Sequence, residues 1–234
     1  MQFGGLGPGK IPRMSFLVVF DLDGTLVDSR EDLAASVNDV LAAIGSAPLA
    51  MADVIQMVGD GARTLVERAL ARAGASADAV DIDDALARFH RCYADRLLNT
   101  TRPYPGIDEV LAHLRPRCSL AVLTNKPIAP TRRILGAWQW SEVFGRVIGG
   151  DEVWGRKPDP AGLRDLMDWA GTPPGETMLV GDSMVDIETA RAVGATACVA
   201  RWGFGHARGD LVLRGDELLA ESPADVIRLL ASRT

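Results

Sequence analysis

Two carboxylates two residues apart, Asp21 and Asp23, follow directly on four apolar residues, Leu17-Val18-Val19-Phe20, and lead into Gly24-Thr25. A short continuous apolar run reads as a buried parallel strand, and Gly24-Thr25 as the turn that leaves it. In open α/β sheets the chemistry takes place beyond the carboxyl ends of strands. Asp21 and Asp23 therefore stand where one carboxylate can attack phosphorus or carbon while its neighbour moves a proton. Further polar groups fall at or near the ends of other apolar runs. Thr124-Asn125 follows Leu120-Ala121-Val122-Leu123, Lys157 precedes Pro158, and Asp182 with Asp186 follows Met178-Leu179-Val180-Gly181. Each alone has an ordinary reading as a cap, a turn residue or a solvated side chain. Their order and common placement point to one site.

The elements that must position these groups alternate. From Tyr104 onward, strands at Leu120–Leu123, Val147–Gly150, Met178–Gly181 and Ala197–Ala200 are separated by helical stretches, notably Met184–Val193 closed by Gly194. That alternation predicts an α/β fold with a three-layer, Rossmann-like core around a parallel sheet. Pro105-Gly106 opens a helix through Leu114, and Pro223 onward, with Val226, Leu229 and Leu230, predicts a terminal amphipathic helix. Residues 30–99 differ in character, being Ala-rich, helical in period and without a clear strand. Leu33, Val37, Val40, Leu41 and Ile44 share one face; Leu65, Val66, Ala69 and Leu70 share another; Leu86, Phe89, Tyr93 and Leu97 share a third. The expected organisation is an α/β core over 14–29 and 100–234, split by an all-helical insertion over 30–99. Residues 1–13, rich in Gly and Pro, read as a flexible tail, with Met14 as a candidate natural start. The tail's Gly4–Lys10 imitates a phosphate-binding loop, but Ile11 stands where Ser or Thr would bind a metal.

At 234 residues the chain has room for one domain with an insertion. A formal net charge of -6 argues against nucleic acid or an anionic membrane as partner, so an anionic substrate would need a local cation. There is no apolar stretch of about 18 residues that could span a bilayer, and no signal-peptide core. Cys92, Cys118 and Cys198 form no CxxC and read as small buried apolar groups in a reducing compartment, the cytoplasm. His90, His113 and His206 show no metal spacing. The first two read as surface or packing residues, and His206 as bordering the site without a catalytic role. Trp138 and Trp140 read as packing.

The polar groups together resemble the motifs of the haloacid dehalogenase superfamily of phosphotransferases. Asp21-Leu22-Asp23-Gly24-Thr25 is similar to its first motif, Thr124-Asn125 to its second, Lys157-Pro158 to its third and Gly181-Asp182-Ser183-Met184-Val185-Asp186 to its fourth. The resemblance implies a Mg²⁺ cofactor, because a doubly charged phosphate ester repels an anionic nucleophile and a hard dication bridges the two. Asp21 and Asp182 would be its ligands through their carboxylates, and Asp23 through its backbone carbonyl. Asp186, one helical turn beyond Asp182, would support these ligands from behind. Lys157 would supply charge to Asp21 or the phosphoryl oxygens, and Thr124 a hydroxyl to those oxygens. Asp21 would form an aspartyl-phosphate. Asp23 would protonate the leaving oxygen and then deprotonate water, kept protonated by a nearby carboxylate. Dehalogenases of the superfamily lack this second acid, so Asp23 argues for phosphoryl transfer.

The insertion resembles the superfamily's helical cap, with hinges at Asp28-Ser29 and Asn99–Pro103. Its expected selectivity segment is Val58-Gly59-Asp60-Gly61-Ala62-Arg63. Gly59 and Gly61 would allow close approach of backbone to substrate, and Asn125 would contact it too. Arg63 either binds a substrate carboxylate or is an exposed helix residue. This segment, together with Arg102–Gly106, Leu123–Pro127, Ile148–Asp151 and Trp202–Gly205, is similar to the phosphoglycolate phosphatases. Asp159, Trp202 and Phe204 depart from that group's usual residues. The expected partner is a small phosphorylated metabolite, 2-phosphoglycolate first, met by a monomer or homodimer. Another small phosphate ester, a sugar or amino-sugar phosphate, or pyrophosphate is the alternative, and a non-catalytic metabolite sensor the remote one.

Overall fold

The computed structural model describes residues 16–75, 80–209 and 211–233, without the side chains of His206 and Ala207. The tail, its loop-like Gly4–Lys10 and Met14 lie outside the described residues, as does any role of the His206 side chain. In chain order the elements are β1 (Leu17–Phe20), β2 (Val27–Asp28), α1 (Arg30–Ala43), α2 (Met51–Ile55), α3 (Ala62–Arg72) and α4 (Ile82–Arg96). They continue with β3 (Arg102–Pro103), α5 (Ile107–Leu114), β4 (Ser119–Leu123), α6 (Ile128–Ala137), β5 (Arg146–Ile148) and α7 (Ala161–Ala170). The last are β6 (Thr177–Gly181), α8 (Met184–Val193), β7 (Thr196–Ala200), β8 (Leu218–Ala220) and α9 (Pro223–Ala231).

Among the described residues six strands form one parallel sheet in the order β5-β4-β1-β6-β7-β8. The apolar run of β1 is fully buried because both of its faces are covered. Leu17 and Val19 pack with Leu163, Leu166, Ile187 and Ala190 of α7 and α8 on one side. Val18 and Phe20 pack with Ile107, Leu111, Ile134 and Val226 of α5, α6 and α9 on the other. Period-two alternation thus feeds two helical layers, giving the three-layer core. The chain leaves β1 to build β4 and β5 on one flank, then returns to build β6, β7 and β8 on the other. The carboxyl end of β1 is therefore the switch point of the sheet, where such folds bind ligands.

Between β2 and β3 the described chain holds α1 to α4 and no strand. Leu33, Val37, Val40 and Leu41 of α1 meet Leu65, Val66 and Leu70 of α3 and Phe89 and Tyr93 of α4, and this apolar cluster continues into the core. Ile44, expected on the buried face of α1, instead follows the helix end at 38% exposure. At the expected hinges the chain crosses as an antiparallel pair, with Val27 opposite Pro103 and Asp28 opposite Arg102. Asp32, in the first turn of α1, fastens this crossing. Its carboxylate accepts hydrogen bonds from the backbone N–H of Thr100 and of Thr101 (2.8 Å) and from both threonine hydroxyls, at 2.8 and 2.7 Å. Among the described residues no helix is long and apolar enough to cross a membrane. All three cysteines are free, Cys118 and Cys198 buried and Cys92 half-buried.

Candidate active site

Asp21 is the first residue beyond β1, and its N–H still bonds to the Val180 carbonyl of β6 at 2.9 Å. That bond holds the carboxylate against the end of the neighbouring strand, where Asp182 emerges. Asp182 is 2% exposed and is packed by glycines: a Cβ at Gly24 would lie 2.0 Å from its Oδ2, and one at Gly203 2.4 Å from its Cβ. The Gly205 N–H donates to Asp182 Oδ2 at 2.6 Å. The glycines of the Trp202–Gly205 segment are therefore required by the close approach of backbone to one carboxylate. Trp202 adds a hydrogen bond from Nε1 to the Thr25 carbonyl at 3.0 Å, fixing the turn after Asp23.

Asp186 lies in the first turn of α8 and closes a capping box. Its Oδ2 accepts from the N–H (3.1 Å) and hydroxyl (2.5 Å) of Ser183, which fixes the helix start beside the site. Its Oδ1 takes the ammonium of Lys157 at 2.6 Å, and the same ammonium stands 2.8 Å from Asp21 Oδ1. Ligand oxygens of Asp21, Asp182 and Asp186, all buried, lie within 4.8 Å of one another. Burial pushes the Asp21 carboxyl up to about 6, with Lys157 opposing and Asp186 adding to the rise. Burial, then the charges of Asp186 and Asp21, raise Asp182 well above the ordinary range. Lys157 is also shifted upward: burial disfavours its charge, but Asp186 and Asp21 outweigh burial and hold it as an ammonium.

Among the described residues, three buried carboxylates against one ammonium leave two negative charges in excess when all are ionised. An all-oxygen cluster with that surplus suits a hard divalent cation. The arrangement is consistent with a metal site.

Thr124 follows β4 and is buried, with its N–H on the Ile148 carbonyl at 3.0 Å. Its hydroxyl oxygen accepts from the Lys126 N–H at 3.3 Å, leaving the hydroxyl proton for another acceptor. Asn125, expected at the substrate, lines the cleft, and its amide is engaged with backbone. Nδ2 donates to the carbonyls of Gly59 and Lys157, both at 2.9 Å, and Oδ1 accepts from the Lys157 N–H at 2.7 Å. Asn125 thus positions Lys157 and ties the 58–61 loop to the sheet. Gly59 and Gly61 line one cleft together with Asp21, Asp23, Thr124 and Asp182. Arg63 does not line it. Its guanidinium pairs with Asp83 on the surface of the helical segment and lies 3.9 Å from Glu67.

Asp23 has different surroundings from those expected. The chain turns at Leu22, whose carbonyl accepts from the N–H of Leu26 at 2.9 Å. Asp23 is paired with an ammonium: Lys126 Nζ lies 2.9 and 2.7 Å from its two oxygens, and the Ser29 hydroxyl donates to it at 2.5 Å. Sequence reasoning gave Lys126 and Ser29 no role at Asp23. The available signal was the place of Lys126 in the same strand-end turn as Thr124. His90 lines the cleft edge, and Trp140 packs with its Nε1 on Asp108 at 2.7 Å.

Residues 18–200 match the family described as haloacid dehalogenase-like hydrolase. The chain is 39% identical to the phosphoglycolate phosphatase of Pseudomonas putida, over 96% of this chain and 79% of that protein. It is 40% identical to phosphoglycolate phosphatase 1 of Pseudomonas aeruginosa, over 85% and 73%. Its fold is similar to the crystal structure of a predicted phosphoglycolate phosphatase from Haemophilus somnus 129PT, with a TM-score of 0.81 and 29% identity over 92% of this chain and 98% of that one. The buried acids at the sheet's switch point and these likenesses agree: the chain belongs to the haloacid dehalogenase-like hydrolases, in the phosphoglycolate phosphatase family.

Proposed function

We propose that the protein is a Mg²⁺-dependent phosphatase that hydrolyses 2-phosphoglycolate through an aspartyl-phosphate on Asp21. The observation that carries this reading is the convergence of Asp21, Lys157 and Asp182 at the carboxyl end of β1, in a chain about two-fifths identical to phosphoglycolate phosphatases. The carboxylates of Asp21 and Asp182 and the backbone carbonyl of Asp23 would hold Mg²⁺, which when bound offsets phosphoryl charge and orients the ester. Lys157 holds the Asp21 carboxylate in place, and Asp186 holds Lys157. Asp21 attacks phosphorus, the ester P–O bond breaks, and Asp23, protonated in the substrate complex, gives its proton to the departing glycolate oxygen. Asp23 then takes a proton from water as that water attacks phosphorus, and the bond from phosphorus to Asp21 breaks. The Thr124 hydroxyl proton is available to a phosphoryl oxygen throughout.

Residues 30–99 act as a cap that moves on the β2–β3 crossing and excludes water when closed. Free cysteines support a cytoplasmic setting. The test is a kcat/KM comparison over 2-phosphoglycolate, sugar and amino-sugar phosphates and pyrophosphate, with Mg²⁺. The expected result is a preference for 2-phosphoglycolate that is abolished in Asp21→Asn. A higher value for another ester, or a fully active Asp21→Asn protein, overturns the reading.

A further inference from the structure

A substrate that carries a carboxylate besides its phosphate needs a cation inside the cleft, because an unpaired buried carboxylate is costly. Among the described residues that line the cleft, Lys126 is the only lysine or arginine. Of the other cations nearby, Arg156 lies outside the lining beside Gly61, with its Nε on the Gly150 carbonyl at 2.9 Å, and three more are committed elsewhere. Lys157 serves Asp21 and Asp186, Arg63 faces Asp83 outside the cleft, and Arg208 donates to the Val58 carbonyl at 2.7 Å and lies 3.3 Å from Asp60. Lys126 is itself nearly inaccessible, with its side chain 4% exposed. It sits between Asp23 of the core and the ring of Tyr93 on α4, whose centroid is 4.5 Å from Nζ. Tyr93 also lines the cleft and is 4% exposed, and its buried hydroxyl, beside the Lys126 ammonium, has no acceptor for its own proton. A buried hydroxyl with an unspent proton beside a buried ammonium is an anion-binding pair with one donor in reserve. The remaining wall on that side is apolar, made by Val58, Ala62, Leu65 and Phe89.

This deepens the proposed function and rests on it. Asp23 is the group placed at the leaving oxygen, and in glycolate the carboxylate is one methylene from that oxygen. We infer that Lys126, with the Tyr93 hydroxyl as second donor, is the specificity-determining anchor for the substrate's carboxylate. Binding replaces the Lys126–Asp23 ion pair with a Lys126–substrate ion pair, which leaves Asp23 facing the leaving oxygen. An ester without the carboxylate makes neither contact.

The experiment compares kcat/KM for 2-phosphoglycolate and for ethyl phosphate, which lacks the carboxylate, in wild type, Lys126→Met, Lys126→Arg and Tyr93→Phe. The expected result is a fall of about 100-fold in the ratio of the two values for Lys126→Met, carried mainly by KM for 2-phosphoglycolate. Lys126→Arg should recover part of it, and Tyr93→Phe should lower the ratio about tenfold. Binding of 3-phosphonopropionate relative to propylphosphonate, measured by calorimetry, should change in parallel. A ratio unchanged within about threefold, or an equal fall on both esters, overturns the assignment. If Lys126→Met does not fold, an unchanged ratio in both Lys126→Arg and Tyr93→Phe overturns it equally. A wild-type enzyme without preference for 2-phosphoglycolate sinks the proposed function itself, whereas a preference that survives in Lys126→Met sinks only this inference.

Discussion

Removing the Asp21 charge should stabilise the metal-free fold. Burial lifts this carboxyl from its ordinary 3.8 to about 6, a figure that already includes the attraction of Lys157 and the repulsion of Asp186. The gap amounts to about 3 kcal/mol. An acid whose folded pKa is raised favours its protonated form in the fold. Below about pH 4 both states are protonated and the cost is small; it grows as pH rises and is complete above about pH 6. Asp21→Asn keeps the shape and removes the charge. In chelator-treated protein it should gain little near pH 4 and about 3 kcal/mol near pH 8, read by urea unfolding. In melting temperature the gain at the higher pH is about 6–12 °C. Saturating Mg²⁺ should raise wild-type stability and narrow or reverse the difference, because a ligand that binds only the folded state stabilises it. A metal-free Asp21→Asn protein less stable than wild type near pH 8, or a gain that ignores pH, refutes the reasoning.

Other consequences follow from the same geometry. Lys157→Ala removes the single cation between Asp21 and Asp186 and should lower kcat by about 100-fold or more, with circular dichroism unchanged. Gly24→Ala would place a methyl 2.0 Å from Asp182 Oδ2 at a φ of +86°, so phosphatase activity and metal affinity should both collapse. Asp32→Ala strips the β2–β3 crossing of its acceptor for the Thr100 and Thr101 hydroxyls and N–H groups. It should cost about 2–4 kcal/mol in urea unfolding.

The parts of the fold legible in the sequence are those dictated by local chemistry. β1 was readable because both its faces are buried, which makes its residues continuously apolar. α8 was readable at both ends because Ser183 and Asp186 form its capping box and Gly194 ends it with a φ of +72°. β8 escaped notice as a three-residue edge strand with only Ala220 buried, and α2, β2 and β3 are too short to show a period. At the site, Asp21, Asp23, Thr124, Lys157 and Asp182 announced themselves by following or flanking predicted strands. The partners of Asp23 did not, because Lys126 lies 103 residues away and only the fold brings it near. The bonds of Asn125 were not legible, because an amide's partners depend on which loops surround it, and here these are the 58–61 loop and the backbone of Lys157. Arg63 had the right charge on the right segment, but helix geometry turns it toward Asp83.

The central claim is that Asp21 becomes covalently phosphorylated. Rapid acid quench of the enzyme turning over 2-phosphoglycolate, followed by borohydride reduction and peptide mass spectrometry, tests it directly. The account predicts reduction to homoserine at position 21 and none in enzyme quenched before substrate is added. Phosphorylation at another residue, or steady turnover by Asp21→Asn protein with no trapped species, would contradict it.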